Sequence, residues 1–281
     1  MYPAAFDYYR VTSVDEAVKL LGEHPDAKLL AGGHSLLPLM KLRLAEPPAL
    51  IDLAHVPGLS GIKSAGSNVV IGATTTYHDL LTSDLITGTF PMMAAAAAIV
   101  GDLQVRNRGT LGGSLAHADP ASDMPAVVLA LEAQIKVVGP KGERTIAAGD
   151  FFEDLFTTAL QPGEVLTEIS IPKPPAGAGQ AYEKFAHPAS GYAVVGVAAV
   201  AAKDGSTVRV AITGAGPVAK RAGAVEQALQ GKQLSAEAIK SASAHATDGM
   251  DLNGDIFASE QYRAHLAQVL TERALNRAVG S

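Results

Sequence analysis

The chain has 281 residues, with 22 lysines and arginines against 28 aspartates and glutamates, a formal net charge of -6 and 48% apolar residues. Such a length supports two or more globular domains with ample core, and the composition excludes collagen, coiled coil and general disorder. No block of basic residues offers an electrostatic footprint, so neither nucleic acid nor an anionic membrane surface is an expected partner.

Cysteine is absent, which removes disulfides, thiolate catalysis and every all-thiolate iron–sulfur cluster from this chain. The first fifteen residues lack a basic start followed by an apolar stretch, so a cytoplasmic location is expected. The longest apolar run, residues 92–100, is far shorter than the roughly 20 residues of a membrane helix.

In chain order, Ser13 with Glu16 three residues later forms a capping-box pattern ahead of an amphipathic helix. Residues 28–31 predict a buried strand ending at Gly32 and Gly33, and residues 49–54 a second, together a small βαβ-type unit. From residue 61 the alternation predicts a hairpin of 62–65 and 69–73. Helices are then expected near 77–83, 91–100 and 124–132, and strands at 134–138 and 165–171. Three prolines and two glycines make 172–180 a linker between domains. Beyond it, 194–202 and 207–213 predict a hairpin, followed by helical stretches near 223–230, 236–246 and 259–279.

Two glycine-bearing segments carry the chemistry. In the first, Ala31-Gly32-Gly33-His34-Ser35-Leu36, paired glycines after a strand let the backbone approach a ligand and aim N–H groups at an anion such as a diphosphate. A tight turn that binds nothing is the ordinary alternative. The second spans residues 104–123, twenty residues with little apolar patterning between two clear helices, and loops this long in compact domains tend to be functional. Within it Thr110, Gly112, Gly113 and Ser114 offer hydroxyl and backbone donors. Asp123 can accept from sugar hydroxyls, cap the following helix, or do both. Arg106 and Arg108 read as solvated or interfacial charges. Gly214-Ala215-Gly216-Pro217 resembles a dinucleotide fingerprint, but no parallel strand ending in an acidic residue follows, which argues against a Rossmann site.

The first segment with Met40-Lys41-Leu42-Arg43, and the second with Thr110-Leu111-Gly112-Gly113-Ser114 and His117-Ala118-Asp119-Pro120, resemble the FAD-binding medium subunit of the molybdenum hydroxylases. This is the family of xanthine dehydrogenase and aerobic carbon monoxide dehydrogenase. The resemblance covers essentially the whole chain. It implies an α+β fold: an FAD-binding domain of two α/β subdomains of the vanillyl-alcohol-oxidase type, about 1–57 and 58–175, then a smaller α+β C-terminal domain, 176–281.

The resemblance also implies that Ala31, Gly32, Gly33, His34, Ser35 and Leu36 wrap the FAD diphosphate, with Thr110, Gly112, Gly113 and Ser114 on its other side. Asp123 would bind polar groups of the cofactor linker, Leu166 would lie near flavin or adenine, and Lys184 would approach a flavin carbonyl. Val100 aligns with a cofactor-lining position and Tyr192 with an aromatic beside the flavin. The plain alternatives are a core strand residue for Leu166 and a strand-start aromatic for Tyr192. Ser114 stands where the family usually has Asn, which shortens the reach of that side chain.

The implied assembly has a large subunit with the molybdopterin cofactor and a small subunit with two [2Fe–2S] clusters, arranged as a dimer of heterotrimers that delivers electrons through FAD to an external acceptor. Carbon monoxide is one candidate substrate of such an assembly. The alternatives are a free-standing FAD oxidoreductase of the same fold and a non-catalytic flavin-binding assembly subunit.

Overall fold

The computed structural model describes residues 2–280. Its first layer is β1 (Asp7–Arg10), α1 (Val14–Glu23), β2 (Lys28–Leu30), α2 (Leu36–Lys41) and β3 (Ala49–Asp52). The three strands form a parallel sheet in the order β1-β3-β2. Ser13 accepts from the Glu16 N–H at 3.1 Å, as the capping pattern predicts, but the Glu16 carboxylate accepts instead from Thr12 N–H, one residue further back. Val11, Ala17, Ile51 and Leu53 form a small core beneath this sheet.

The second layer begins with the expected hairpin, β4 (Ile62–Ala65) and β5 (Asn68–Gly72). Six helices follow: α3 (Tyr77–Thr82), α4 (Asp84–Thr89), α5 (Pro91–Ala98), α6 (Leu103–Arg108), α7 (Leu111–His117) and α8 (Asp123–Ala130). Then come β6 (Gln134–Gly139), β7 (Gly142–Ala147), the small pair β8 (Phe152–Asp154) and β9 (Thr157–Thr158), and β10 (Val165–Pro172). An antiparallel sheet of order β4-β5-β10-β6-β7 results, closed across its middle by β10.

The expected twenty-residue loop is therefore mostly two short helices. Asp102 accepts from Val105 N–H at 2.8 Å and Thr110 from Gly113 N–H at 3.1 Å, so each helix has its own cap. The α6 helix buries no residue, so it carries no apolar period, and two glycines lower the intrinsic helix preference of α7.

The third layer holds β11 (Ala178–Ala186), β12 (Ala193–Ala202), β13 (Val208–Thr213) and β14 (Lys220–Arg221) in one antiparallel sheet, followed by α9 (Gly223–Leu229), α10 (Ala236–Ser243) and α11 (Glu260–Gly280). The expected linker is shorter than read: β10 runs to Pro172 and β11 starts at Ala178. All ten residues of β12 are buried. Ala198 and Val200 point into the core shared with α5 and α8, while Val197, Ala199 and Ala201 point into the core under α11. The strand reads as one continuous apolar run because both of its faces are covered. Gly214 leaves β13 toward β14 in this antiparallel sheet, which is not a Rossmann arrangement.

Candidate functional site

The first glycine segment lies where β2 gives way to α2. Gly33 has φ +76, a conformation that favours glycine, and among the described residues no protein group accepts from the backbone N–H groups of Gly32, Gly33, His34 or Ser35. Residues 31–36 are all half-buried. The Ser35 hydroxyl makes no capping bond with α2. Four successive free amides in partial burial have the chemistry of an anion cradle.

The second segment abuts the first through its backbone. A Cβ on Gly32 would stand 1.9 Å from the Arg108 carbonyl oxygen and 3.0 Å from Gly109 Cα, so only glycine permits this approach. The amides here are already used. Leu111 N–H donates to Thr75 O at 3.0 Å, Gly112 N–H to Ala73 O at 2.8 Å, and Gly113 N–H to the Thr110 hydroxyl. A Cβ on Gly112 would meet the Ala73 backbone at 2.7 Å. Ser114 Oγ pairs with Ser122 Oγ at 2.7 Å, and the buried Tyr77 phenol, pushed up by that burial, also faces Ser114.

A buried ion pair lies at the start of α8. Asp123 is the first residue of the helix and Ser122 is its cap residue, which settles the capping question on the neighbour. The Asp123 carboxylate accepts from Lys184 Nζ at 2.9 Å through Oδ2 and from the Tyr182 hydroxyl at 2.5 Å through Oδ1. The Lys184 and Asp123 side chains are only 3% and 5% exposed. Burial pushes the Asp123 carboxyl above its ordinary range, against the opposing pull of the Lys184 charge and of the lysine and tyrosine hydrogen bonds. Burial and then the Asp123 charge push the Tyr182 phenol well up, so it stays a donor.

The chain just before Asp123 is joined to the third layer. The Thr213 hydroxyl lies 2.8 Å from Pro120 O and 2.7 Å from Ser122 O, and the Gly214 and Ala193 N–H groups donate to Pro120 O and Ala121 O. Val100, half-buried after α5, accepts from Arg106 at 3.0 Å, and its neighbour Ile99 O lies 3.5 Å from Lys184 Nζ. That bond occupies Arg106 within the fold. Tyr192 is 43% exposed, its phenol is pushed up by burial and by the charges of Asp119 and Asp123, and the Ala193–Ala121 bond holds its backbone next to the segment that leads into Asp123. Leu166 is a buried residue of β10 opposite Val137, in the core with Leu111 and Leu115.

The structure thus brings Gly32 against the second segment, and Val100, Asp123, Lys184 and Tyr192 into one neighbourhood. Leu166 joins them only through the core. Sequence reasoning missed Tyr182 and Ser122. The signal for Tyr182 was its spacing of two from Lys184, which puts both side chains on one face of a strand.

Residues 4–174 match the FAD binding domain in molybdopterin dehydrogenase, and residues 180–278 match the CO dehydrogenase flavoprotein C-terminal domain. These matches define a flavoprotein component of an oxidoreductase. The carbon monoxide dehydrogenase medium chain of Hydrogenophaga pseudoflava is 43% identical over 282 residues, spanning 99% of this chain and 98% of its own. The 6-hydroxypseudooxynicotine dehydrogenase complex subunit alpha of Paenarthrobacter nicotinovorans is 37% identical, spanning 99% and 96%. A solved structure of the Hydrogenophaga pseudoflava carbon monoxide dehydrogenase, lacking the Mo-pyranopterin moiety, superposes with a TM-score of 0.95 at 45% identity over 99% of this chain and 98% of that one.

The chain belongs to the FAD-binding medium subunits of the molybdenum hydroxylase family. Its relatives are medium chains of multi-subunit enzymes, and large and small partner subunits follow from that membership. Among the described residues no helix is long and apolar enough to cross a membrane.

Proposed function

We propose that this chain is the flavin-bearing relay of a cytoplasmic heterotrimeric molybdenum hydroxylase, assembled as a dimer of heterotrimers. The large subunit carries the molybdopterin cofactor and oxidises the substrate. When bound here, FAD supplies the redox chemistry that links the small subunit's [2Fe–2S] clusters to an external acceptor. The absence of cysteine supports this division of labour, since this chain cannot ligate such clusters itself. Carbon monoxide is the substrate favoured by the carbon monoxide dehydrogenase relatives, and the relative named for 6-hydroxypseudooxynicotine, which spans the same 99% of this chain, is less similar at 37% identity.

The observation that carries the reading is the run of free amides at Gly32, Gly33, His34 and Ser35, held against the Arg108 carbonyl. In this reading residues 31–36 receive the diphosphate. Thr110, Gly112, Gly113 and Ser114 form the opposing wall, where the two glycines contribute close approach and not free donors. Asp123 and Lys184 present a buried charge pair to the polar part of the cofactor, Val100 and Tyr192 border it, and Leu166 backs it from the core. In this reading the domains are subdomains of about 1–57 and 58–175, then a C-terminal domain of 176–281; the separate sheets support that division.

The test is anaerobic. The isolated chain, purified yellow, is mixed with carbon monoxide, and flavin absorbance is followed before and after addition of the purified partner subunits. Bleaching only after their addition is expected, together with release of intact FAD on acid precipitation. Substrate-dependent bleaching by the chain alone would overturn the relay in favour of a free-standing oxidoreductase, and a colourless native complex would overturn flavin binding itself.

A further inference from the structure

We propose that Tyr182 is a positioning residue of the cofactor site, holding the Asp123 carboxylate so that Lys184 stays aimed into it, and that Gly196 is glycine in order to admit the Tyr182 hydroxyl. The proposal rests on the reading of Asp123 and Lys184 as lining the FAD site.

Tyr182 and Lys184 alternate onto one face of β11 and reach the same carboxylate from the same strand. Each takes a different oxygen, so the plane of the Asp123 carboxylate is set by β11, across the boundary between two layers of the fold. Among the described residues no other side chain donates to it. A buried carboxylate is costly to keep charged, and the phenol supplies the second of the two side-chain hydrogen bonds that favour the charged form.

Lys184 depends on that arrangement. Its ammonium has three N–H groups, of which one donates to Asp123 and another makes a long contact of 3.5 Å with Ile99 O. A third has no acceptor among the described residues, although the side chain is 3% exposed. A buried unsatisfied donor is unfavourable unless something else meets it, which is what a polar edge of the bound cofactor provides.

Gly196 supplies an independent observation. It lies in the middle of the fully buried β12, paired with Lys184, where glycine weakens a strand. A Cβ there would stand 2.3 Å from the Tyr182 hydroxyl oxygen and 3.1 Å from Cζ, with Thr213 Cγ2 at 3.0 Å. Its φ is not in the left-handed region, so the turn chemistry that explains other glycines does not explain this one. The close approach of the hydroxyl does.

The experiment titrates FAD into the full-length apo chain over a range of pH for wild type, Tyr182→Phe, Gly196→Ala and the double variant. Tyr182→Phe keeps the ring and removes one charge-assisted hydrogen bond, so FAD affinity should fall on the order of tenfold. The acid limb of the affinity profile should also move to higher pH, because Asp123 loses a group that favours its charged form. Gly196→Ala keeps the hydroxyl but displaces it, and should shift affinity and acid limb in the same direction. In the double variant the alanine should add less than it does alone, since its severe overlap is with an oxygen no longer present and only the milder contacts with Cζ and Thr213 remain.

A lowered melting temperature with wild-type FAD affinity and an unmoved acid limb in both single variants would overturn the proposal and leave Tyr182 a core residue. Asp123→Asn and Lys184→Met separate the two levels. If these bind FAD as wild type does, the site reading falls and the proposal with it; if they bind poorly while Tyr182→Phe binds normally, only the role of Tyr182 falls.

Discussion

The two glycine-bearing segments meet backbone to backbone at Gly32 and Arg108, yet they are built in opposite ways. Residues 32–35 keep four amides free of any acceptor among the described residues, while Leu111, Gly112 and Gly113 spend theirs on Thr75, Ala73 and Thr110. The same residue type thus does two jobs. In the first segment glycine leaves donors without a protein acceptor, and in the second it lets a short helix lie directly on the Ala73 strand end. Glycine density alone does not distinguish a ligand-reading loop from a packing device; the fate of the N–H groups does.

The strongest way to break this comparison is Gly32→Ala. Its Cβ would overlap the Arg108 carbonyl, which neither backbone can yield cheaply, and a penalty of about 3 kcal/mol on the cofactor-competent arrangement lowers FAD affinity by roughly 100-fold. Flavin-to-protein absorbance after gel filtration reads this directly, and a fully yellow variant would show that the two segments need not touch. Gly112→Ala makes the contrast. Overlap with the Ala73 backbone should cost about 1–3 kcal/mol of fold stability in denaturant unfolding, with FAD affinity of the folded fraction changing less than in Gly32→Ala. Equal losses of affinity in both variants would erase the distinction.

Thr110→Ala should be milder, removing the cap of α7 for about 1 kcal/mol, with Thr110→Ser restoring most of it by thermal melting. The smallest effect is in pH. Because burial raises the Asp123 carboxyl in the folded chain, the folded state binds its proton more tightly than the unfolded state. The stability linked to that proton is present below the unfolded carboxyl value, about pH 4, and is lost as pH rises through the raised folded value. Wild type should therefore gain on Asp123→Asn when acidified from neutrality toward pH 4, as read by the difference in melting temperature. A difference that shrinks on acidification would mean that the lysine and tyrosine partners outweigh desolvation.

Much of the fold was legible where apolar period and turn chemistry agree. The hairpins of β4 with β5 and β12 with β13, and the helix entered at Pro91, stand where alternation and punctuation place them. The parallel edge strand β1, with mostly exposed side chains, has no such pattern. Nor did β11 stand out, because Gln180, Glu183 and Lys184 interrupt its apolar alternation and its pairing is decided by β12. At the site, the contact between the two glycine segments was partly legible, because the close approach at Gly32 is a local backbone need and glycine is written locally. The partners of Asp123 were not visible, since Tyr182 lies 59 residues away in sequence and reaches it only after the sheet docks on α8.

That docking has a consequence for how the chain comes apart. Tyr182, Ala198, Val200 and Ala211 turn one face of the third sheet toward the core containing Met124, Val127 and Val128. Separating the parts on either side of the short connection between Pro172 and Ala178 would therefore bare an apolar wall on both. A break in the polypeptide there leaves two halves with reason to stay clasped, so heat should melt the intact chain in a single cooperative transition. FAD release and unfolding of the C-terminal helices would then share one midpoint.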